Sequence, residues 1–280
     1  MKKTPEQYGV LGKETAYPQQ YDPGLLCPIS RIEGRRWISE SLTDQDVLPF
    51  KGVDYWNAYE FSWLETTGKP HVGVLELTVP HDSPNIVESK SLKLYLNSLN
   101  HEPFAQVADV VNRVSADLEN VMGVPVDVKL HTDMDHEDHY AVSVLKGQLI
   151  DTETVTIENY AVEKAVLRCA SSAVVTETLY SHLLRSNCPV TGQPDWASVQ
   201  IRYHGPRIDR SSLLKYIVSY RNHNEFHEQC VERMFMDIRE QCGTEKLTVY
   251  ARYTRRGGID INPFRSDFEL PYPNGRLLRQ

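Results

Sequence analysis

The sequence has no apolar run approaching the roughly 20 residues that a membrane-spanning helix requires, which argues against a membrane protein. Its opening residues, Met-Lys-Lys-Thr-Pro-Glu-Gln, lack the apolar stretch of a secretory signal. Cysteine is scarce. The five present (Cys27, Cys169, Cys188, Cys230, Cys242) are odd in number and show no framework spacing, so a reducing, cytoplasmic setting is expected. No Gly-x-Gly-x-x-Gly follows a strand-like segment, so any dinucleotide must be held without a Rossmann fold. Positive charge is also in deficit. A net charge of −8 and a pI near 5.7 argue against a nucleic-acid-binding surface, while leaving room for a local basic pocket. What is present suffices for a sizeable core: 280 residues, 40% of them hydrophobic, in one large domain or two small ones.

The organisation shows in an internal repeat. Glu88-Ser-Lys-Ser-Leu-Lys-Leu-Tyr-Leu-Asn-Ser98 aligns with Asp209-Arg-Ser-Ser-Leu-Leu-Lys-Tyr-Ile-Val-Ser219 at a constant offset of 121 (209 − 88). Upstream of the first copy, Tyr59, Phe61 and Trp63 alternate with Glu60, Ser62 and Leu64, the period of a half-buried strand. A Gly68-Lys69-Pro70 turn leads into Val72–Val79, which completes a hairpin. In the second half Ser172–Leu184 and Ala197–Tyr203 take those places. Downstream, Phe104, Val107, Val110, Val111, Val114 and Leu118 form one apolar helical stripe, and Phe226, Cys230, Met234, Ile238 and Cys242 form another. Val124–Leu130 and Leu247–Tyr253 read as closing strands. Each half is thus strand, strand, helix, helix, strand: an α+β plan with an antiparallel sheet and helices on one face.

The expected division is an N-terminal extension with little regular structure (1–50), a first module (51–132), a linker (133–165) and a second module (166–280). Pairing the two sheets edge to edge would hide exposed edge strands, and edges left over point to a homodimer. The halves carry different chemistry. The first has the charged helix start Glu88-Ser89-Lys90, whereas the second holds Cys188, Asp195, His227 and Glu228. A site shared between modules is the natural expectation.

Cys188 sits in Ser-Asn-Cys-Pro-Val-Thr-Gly-Gln-Pro-Asp-Trp (186–196), where Pro189 and Pro194 stiffen a turn and Asp195 follows seven residues after the thiol (195 − 188). A thiol and an acid on one stiff loop suit covalent catalysis. A buried structural cysteine beside a turn aspartate is the alternative. His223, His227 and Cys230 have the spacing of metal ligands on one helix face, although Cys230 also belongs to the apolar stripe. The segment His131-Thr-Asp-Met-Asp-His136-Glu-Asp-His139 has metal-ligand residue types but reads as a solvated acidic loop. Arg252-Tyr-Thr-Arg255-Arg256-Gly257-Gly258 joins guanidinium forks to approachable glycine amides, which suits phosphate or a solvated turn equally. Lys90 and Lys93 near a helix start add charge of the same use.

Four motifs in order, Glu88-Ser-Lys-Ser-Leu-Lys-Leu-Tyr95, Cys188-Pro-Val-Thr-Gly-Gln-Pro-Asp195-Trp, Phe226-His-Glu228 and Arg255-Arg-Gly-Gly258, resemble the NADPH-dependent 7-cyano-7-deazaguanine reductases of queuosine biosynthesis, a tRNA-modification pathway. The tandem arrangement resembles the family's long, bimodular form. The resemblance implies tandem tunnelling-fold modules, a fold shared with a zinc-dependent GTP cyclohydrolase but used here without metal. It implies reduction of a nitrile to a primary amine, a four-electron step requiring two NADPH. Cys188 would add to the nitrile carbon as a thioimide, Asp195 would carry the proton, and His227 would be a proton donor and substrate contact. Val87, Glu88, Ser89, His227 and Glu228 would bind the substrate, and Ser89, Lys90, Arg256 and Gly257 the NADPH. The implied partner is a small molecule, with no nucleic acid bound directly and no membrane. The alternative is a zinc-dependent cyclohydrolase-like hydrolase using Cys188, His227 and Cys230 as ligands.

Overall fold

The computed structural model describes residues 17–44, 47–133 and 142–280. The chain is mixed α+β with predominantly antiparallel strand pairing, and it divides into two units, each discontinuous in sequence. Among the described residues no helix is long and apolar enough to cross a membrane.

The first unit gathers the described parts of Met1–Glu33, Asp54–His139 and Arg255–Ile261. Strand Lys51–Glu65 enters it at Asp54 and turns into Pro70–Pro80, which pairs antiparallel with Asp127–His131 in the register Leu77↔Val128. Helices Ser89–Ser98 and Val107–Met122 supply the other wall of the core. Trp56, Phe61, Trp63, Leu75 and Leu77 meet Leu92, Tyr95, Val110, Val114 and Leu118 there. Two-residue alternation at Phe61/Trp63 and at Leu75/Leu77, and the i, i+4 stripe on the longer helix, put these side chains on facing surfaces.

The second unit comprises Gly34–Val53, the described part of Tyr140–Thr254, and Asn262–Gln280. A long hairpin, Cys169–Asn187 with Pro194–Ile208, is flanked by Lys246–Tyr253. Leu184, Val199, Ile201 and Val249 pack against Leu213, Ile217, Val231, Phe235 and Ile238 from helices Arg210–Ser219 and His227–Cys242.

The repeat extends to individual hydrogen bonds. The 10-residue helices keep the offset of 121, and the 16-residue helices keep one of 120. Glu88 and Asp209 cap the shorter helices by accepting from the amides of Ser91 and Ser212. The Ser91 and Ser212 hydroxyls each donate back to the capping residue's carbonyl at 2.7 Å. Tyr95 donates to Asp117, and Tyr216 to Asp237, both at 2.6 Å. The longer helices end at Gly123 and Gly243, whose left-handed backbone (φ 78° and 59°) lets each amide close the last turn.

Some expectations needed correction. Residues 17–50 carry more order than their proline and glycine content suggests: strand Pro28–Ser30 pairs with Asn85–Val87, and helix Arg31–Arg36 follows. Ionic partners supply what propensity lacks. Arg31 donates to Asp54 at 2.6 Å within the first unit, and Arg35 to Glu232 at 2.8 Å within the second, with all four groups buried. The hairpin strands run well beyond Ser172–Leu184 and Ala197–Tyr203. The first unit's closing strand begins at Asp127 rather than Val124, after Pro125. Strand Ile259–Ser266, which interior Asn262 and Pro263 hide from an alternation search, was not anticipated.

Candidate active site

In the second unit the hairpin ladder runs to Asn187↔Pro194, with Ser186 opposite Asp195. The mouth is closed by the Cys188 amide donating to the Gln193 carbonyl at 2.9 Å and the Gly192 amide donating to the Cys188 carbonyl at 3.1 Å. Cys188 therefore follows directly on the strand. It lies two residues along from Ser186 and hence diagonal to Asp195, a relation that in antiparallel sheets spans roughly 7–8 Å between backbones. Both are buried, with 6% of Cys188 and 3% of Asp195 exposed.

The Asp195 carboxylate meets the imidazole of His227, with Oδ2 and Nε2 3.5 Å apart. His227 is the first residue of the helix His227–Cys242, and Glu228, also buried, is the second. Three of the expected residues, Asp195, His227 and Glu228, are thus gathered at the hairpin mouth that carries Cys188. A buried thiol on the same hairpin mouth as an acid–imidazole pair can add to an electrophilic carbon while a proton moves along the pair.

The mouth is anchored from a third segment. The Asn187 amide donates to the His223 carbonyl at 2.8 Å, and Glu225 accepts from the His223 ring at 2.8 Å and from Arg233 Nε at 3.0 Å. Burial works to raise the Glu225 carboxyl, but the His223 and Arg233 bonds overcome it and hold it below the ordinary carboxylate value. A carboxyl lowered by folding stabilises the fold above its ordinary pKa, and that contribution is lost as pH falls through the lowered value. Glu225→Gln is therefore expected to cost about 2 kcal/mol at neutral pH, with the gap to wild type closing below about pH 4. Urea denaturation of both proteins across that range checks it, and a pH-independent gap contradicts it.

The metal-ligand spacing around His223 does not become a helix face. His223 precedes the helix and pairs with Glu225, and Cys230 is wholly buried in the core, its thiol pushed up by that burial. Of the acidic stretch 131–139, His131 lies on its strand 3.6 Å from Glu76, and residues 134–139 fall outside the described residues.

In the first unit Val87 ends a short strand, and Glu88 caps the helix Ser89–Ser98. The wholly buried Glu88 carboxylate accepts from the amides of Lys90 at 2.7 Å and Ser91 at 2.8 Å. Burial raises this carboxyl above its ordinary value, and the two amides resist the shift. The sequence did not disclose this capping duty; Oε1 also accepts a long bond from the Ser89 hydroxyl at 3.5 Å, which leaves Oε2 the lone pair for a ligand. Arg256 and Gly257 lie on a turn closed by reciprocal Arg256–Ile259 backbone bonds of 2.9 and 3.2 Å. Gly257 has φ +58°, and a Cβ there would stand 2.8 Å from Lys93 Nζ. The turn thus abuts the helix that bears Ser89 and Lys90, with Lys93 one turn beyond Lys90 on the same face.

Two residues at the mouth escaped the sequence reading. The sequence shows Ser186 only as the start of the Cys188 loop and Tyr253 only as a strand end, yet Tyr253 stacks on His227 and lies against Ser186 and Cys230. The offset of 121 sets Thr132 of the first half against Tyr253 (253 − 121).

Comparison with known proteins gives first a class. A family model described as "Nitrile reductase, 7-cyano-7-deazaguanine-reductase N-term" matches residues 17–130, and one described as "QueF-like protein" matches 194–271. Cys188 lies between the two spans. The NADPH-dependent 7-cyano-7-deazaguanine reductase of Bordetella parapertussis is 52% identical over 271 residues, covering 96% of this chain and 97% of that protein. The enzyme of the same name from Bordetella bronchiseptica is 51% identical over the same coverage. The chain belongs to the family of NADPH-dependent 7-cyano-7-deazaguanine reductases. Among solved structures, the crystal structure of the archaeosine synthase QueF-Like in the apo form aligns with a TM-score of 0.31 at 17% identity, over 36% of this chain and 99% of that one.

Proposed function

We propose that this protein reduces the nitrile of 7-cyano-7-deazaguanine to the aminomethyl group of 7-aminomethyl-7-deazaguanine, with two NADPH consumed per turnover. The observation that carries the reading is the buried Asp195–His227 pair at the hairpin mouth that holds Cys188.

A nitrile carbon is a poor acceptor until it is polarised. The Cys188 sulfur adds to that carbon, one C–N π bond is lost, and the thiol proton reaches the nitrile nitrogen through Asp195, giving a thioimide. Asp195, on the neighbouring strand and diagonal to Cys188, supports this route. NADPH, when bound, supplies the two hydrides that the four-electron reduction requires, and the C–S bond breaks so that Cys188 is regenerated as thiol. His227, held at Asp195, donates to the nitrogen as it becomes an amine. Glu228, buried beside it, accepts from the N–H edge of the guanine-like ring. Val87, Glu88 and Ser89 are assigned to substrate recognition as well, with Glu88 acting through the lone pair that Oε2 keeps. Burial of the mouth keeps water from the imine-level species.

The first unit's turn fits a dinucleotide phosphate. A glycine whose Cβ would fill the space before Lys93, next to Arg256 and against the helix of Ser89 and Lys90, is a cradle for an anion. Ser89, Lys90, Arg256 and Gly257 would hold NADPH there. Gly257→Ala places a side chain in left-handed backbone, at a cost of about 1–2 kcal/mol. It is expected to raise KM for NADPH several-fold while leaving KM for the deazaguanine within about twofold, as steady-state kinetics would show; an unchanged KM for NADPH removes Gly257 from the cofactor site.

The same reading assigns the two halves, 51–132 and 166–280, to tandem tunnelling-fold modules, with 1–50 as an extension and 133–165 as a linker. It takes the protein as a cytoplasmic homodimer that needs no metal and binds no nucleic acid directly. The test is turnover: purified protein given 7-cyano-7-deazaguanine should oxidise two NADPH per amine formed. Activity that requires stoichiometric zinc and consumes no NADPH would replace this reading with a cyclohydrolase-like hydrolase.

A further inference from the structure

We propose that Tyr253 is a positioning residue for His227, its ring fixing the plane in which imidazole Nε2 faces Asp195. This rests on the reading of His227 as a catalytic group. The two rings stack in parallel, with centroids 3.7 Å apart and planes within 2°.

The stack does work that no hydrogen bond does. Nδ1 of His227 is buried and meets no hydrogen-bonding partner among the described residues. The Nε2 contact to Asp195 is long, at 3.5 Å, and rotation about the imidazole's last bond is intrinsically broad. A flat ring against one face removes that freedom.

Tyr253 is itself held rigidly. It ends strand Lys246–Tyr253 opposite Ala197, two residues beyond Asp195 on the partner strand. Its amide donates to Asn262 Oδ1 at 3.1 Å, and its carbonyl accepts from Gln280 Nε2 at 2.8 Å. The fully buried phenol lies against the Ser186 hydroxyl and the Cys230 thiol, and burial keeps it un-ionised.

The internal repeat is an independent argument. Helices Val107–Met122 and His227–Cys242 correspond residue for residue, which sets Val107 at the place of His227. The ladder pairs Leu77↔Val128 and Ile201↔Val249 both face their cores, and four residues past Val128 and Val249 stand Thr132 and Tyr253. The half without the histidine is also without the ring: Thr132 lies one residue past the end of its strand, Asp127–His131.

Tyr253→Phe and Tyr253→Leu are compared with His227→Ala and with the Tyr253→Leu/His227→Ala double variant, with kcat expressed per Cys188 able to form adduct. The expected result is Tyr253→Phe within about threefold of wild type and Tyr253→Leu lowered 10- to 100-fold in kcat with KM for the deazaguanine within about threefold. The double variant should be no slower than His227→Ala alone. If Tyr253→Leu does not fold, Tyr253→Met takes its place in the same comparison. Tyr253→Phe as impaired as Tyr253→Leu, a double variant with additive losses, or a Tyr253→Leu protein with a lower Tm and wild-type kcat would each overturn the proposal. Tyr253→Leu at full kcat beside an impaired His227→Ala overturns it while leaving the role of His227 standing, whereas full turnover by His227→Ala removes the reading on which it rests.

Discussion

Cys188→Ala is expected to lower kcat for nitrile reduction by a factor on the order of 10⁴ or more, with the deazaguanine still bound. Losses of that size accompany removal of a covalent nucleophile, because no other group offers the same low-barrier route. Among the described residues there is no ready substitute at the mouth. Cys230 is wholly buried, with its thiol pushed up by desolvation and then by the Glu225 charge, and Cys242 is pushed up to about 12 by burial and by the neighbouring Cys169 thiol. Folding should be little affected, since Cys188 follows the end of its strand and its two loop bonds are made by backbone. Steady-state kinetics with ligand titration separates the effects. Loss of binding parallel to loss of turnover would show that Cys188 holds the pocket rather than reacts in it.

Asp195→Asn is expected to lower turnover by roughly 10²- to 10⁴-fold, the span of a positioned proton carrier, with ring binding retained. Asparagine fills the same volume opposite Ser186 and can still meet His227, but it cannot accept the thiol proton. Rapid mixing of the variant with 7-cyano-7-deazaguanine should show slowed adduct formation ahead of any effect on affinity. Wild-type kinetics would take Asp195 out of the mechanism and leave it as a partner that orients His227.

Much of this was legible in the sequence, and for definable reasons. The alternation through Phe61 and Trp63 and the stripes through Val110 and Met234 are periodic signals that burial itself imposes. The offset of 121 announced two copies of one plan, which the structure carries down to Tyr95–Asp117 and Tyr216–Asp237. Cys188, Asp195, His227 and Glu228 were legible as residue types on a proline-bounded loop and a helix, though not the start of that helix at His227. What escaped lies in contacts between segments distant in sequence. The Asp195–His227 approach joins residues 32 apart (227 − 195), and the Tyr253 ring lies a further 26 on (253 − 227). Glu88 as a doubly bonded cap depends on where the Lys90 and Ser91 amides point. The strand Ile259–Ser266 is buried along its whole length despite Asp260, Asn262 and Arg265, so it has no alternation to read. Asp260 finds Asn57 and Tyr59 in the first unit, and Arg265 finds Glu232 in the second.

The central claim is a covalent bond between Cys188 and the substrate's nitrile carbon. Intact-mass measurement of the protein mixed with 7-cyano-7-deazaguanine in the absence of NADPH tests it most directly. The account predicts a gain of one substrate mass per chain in the wild type, with fragmentation placing it on Cys188, and no gain in Cys188→Ala. Wild-type protein that binds the deazaguanine normally yet gains no mass would contradict it.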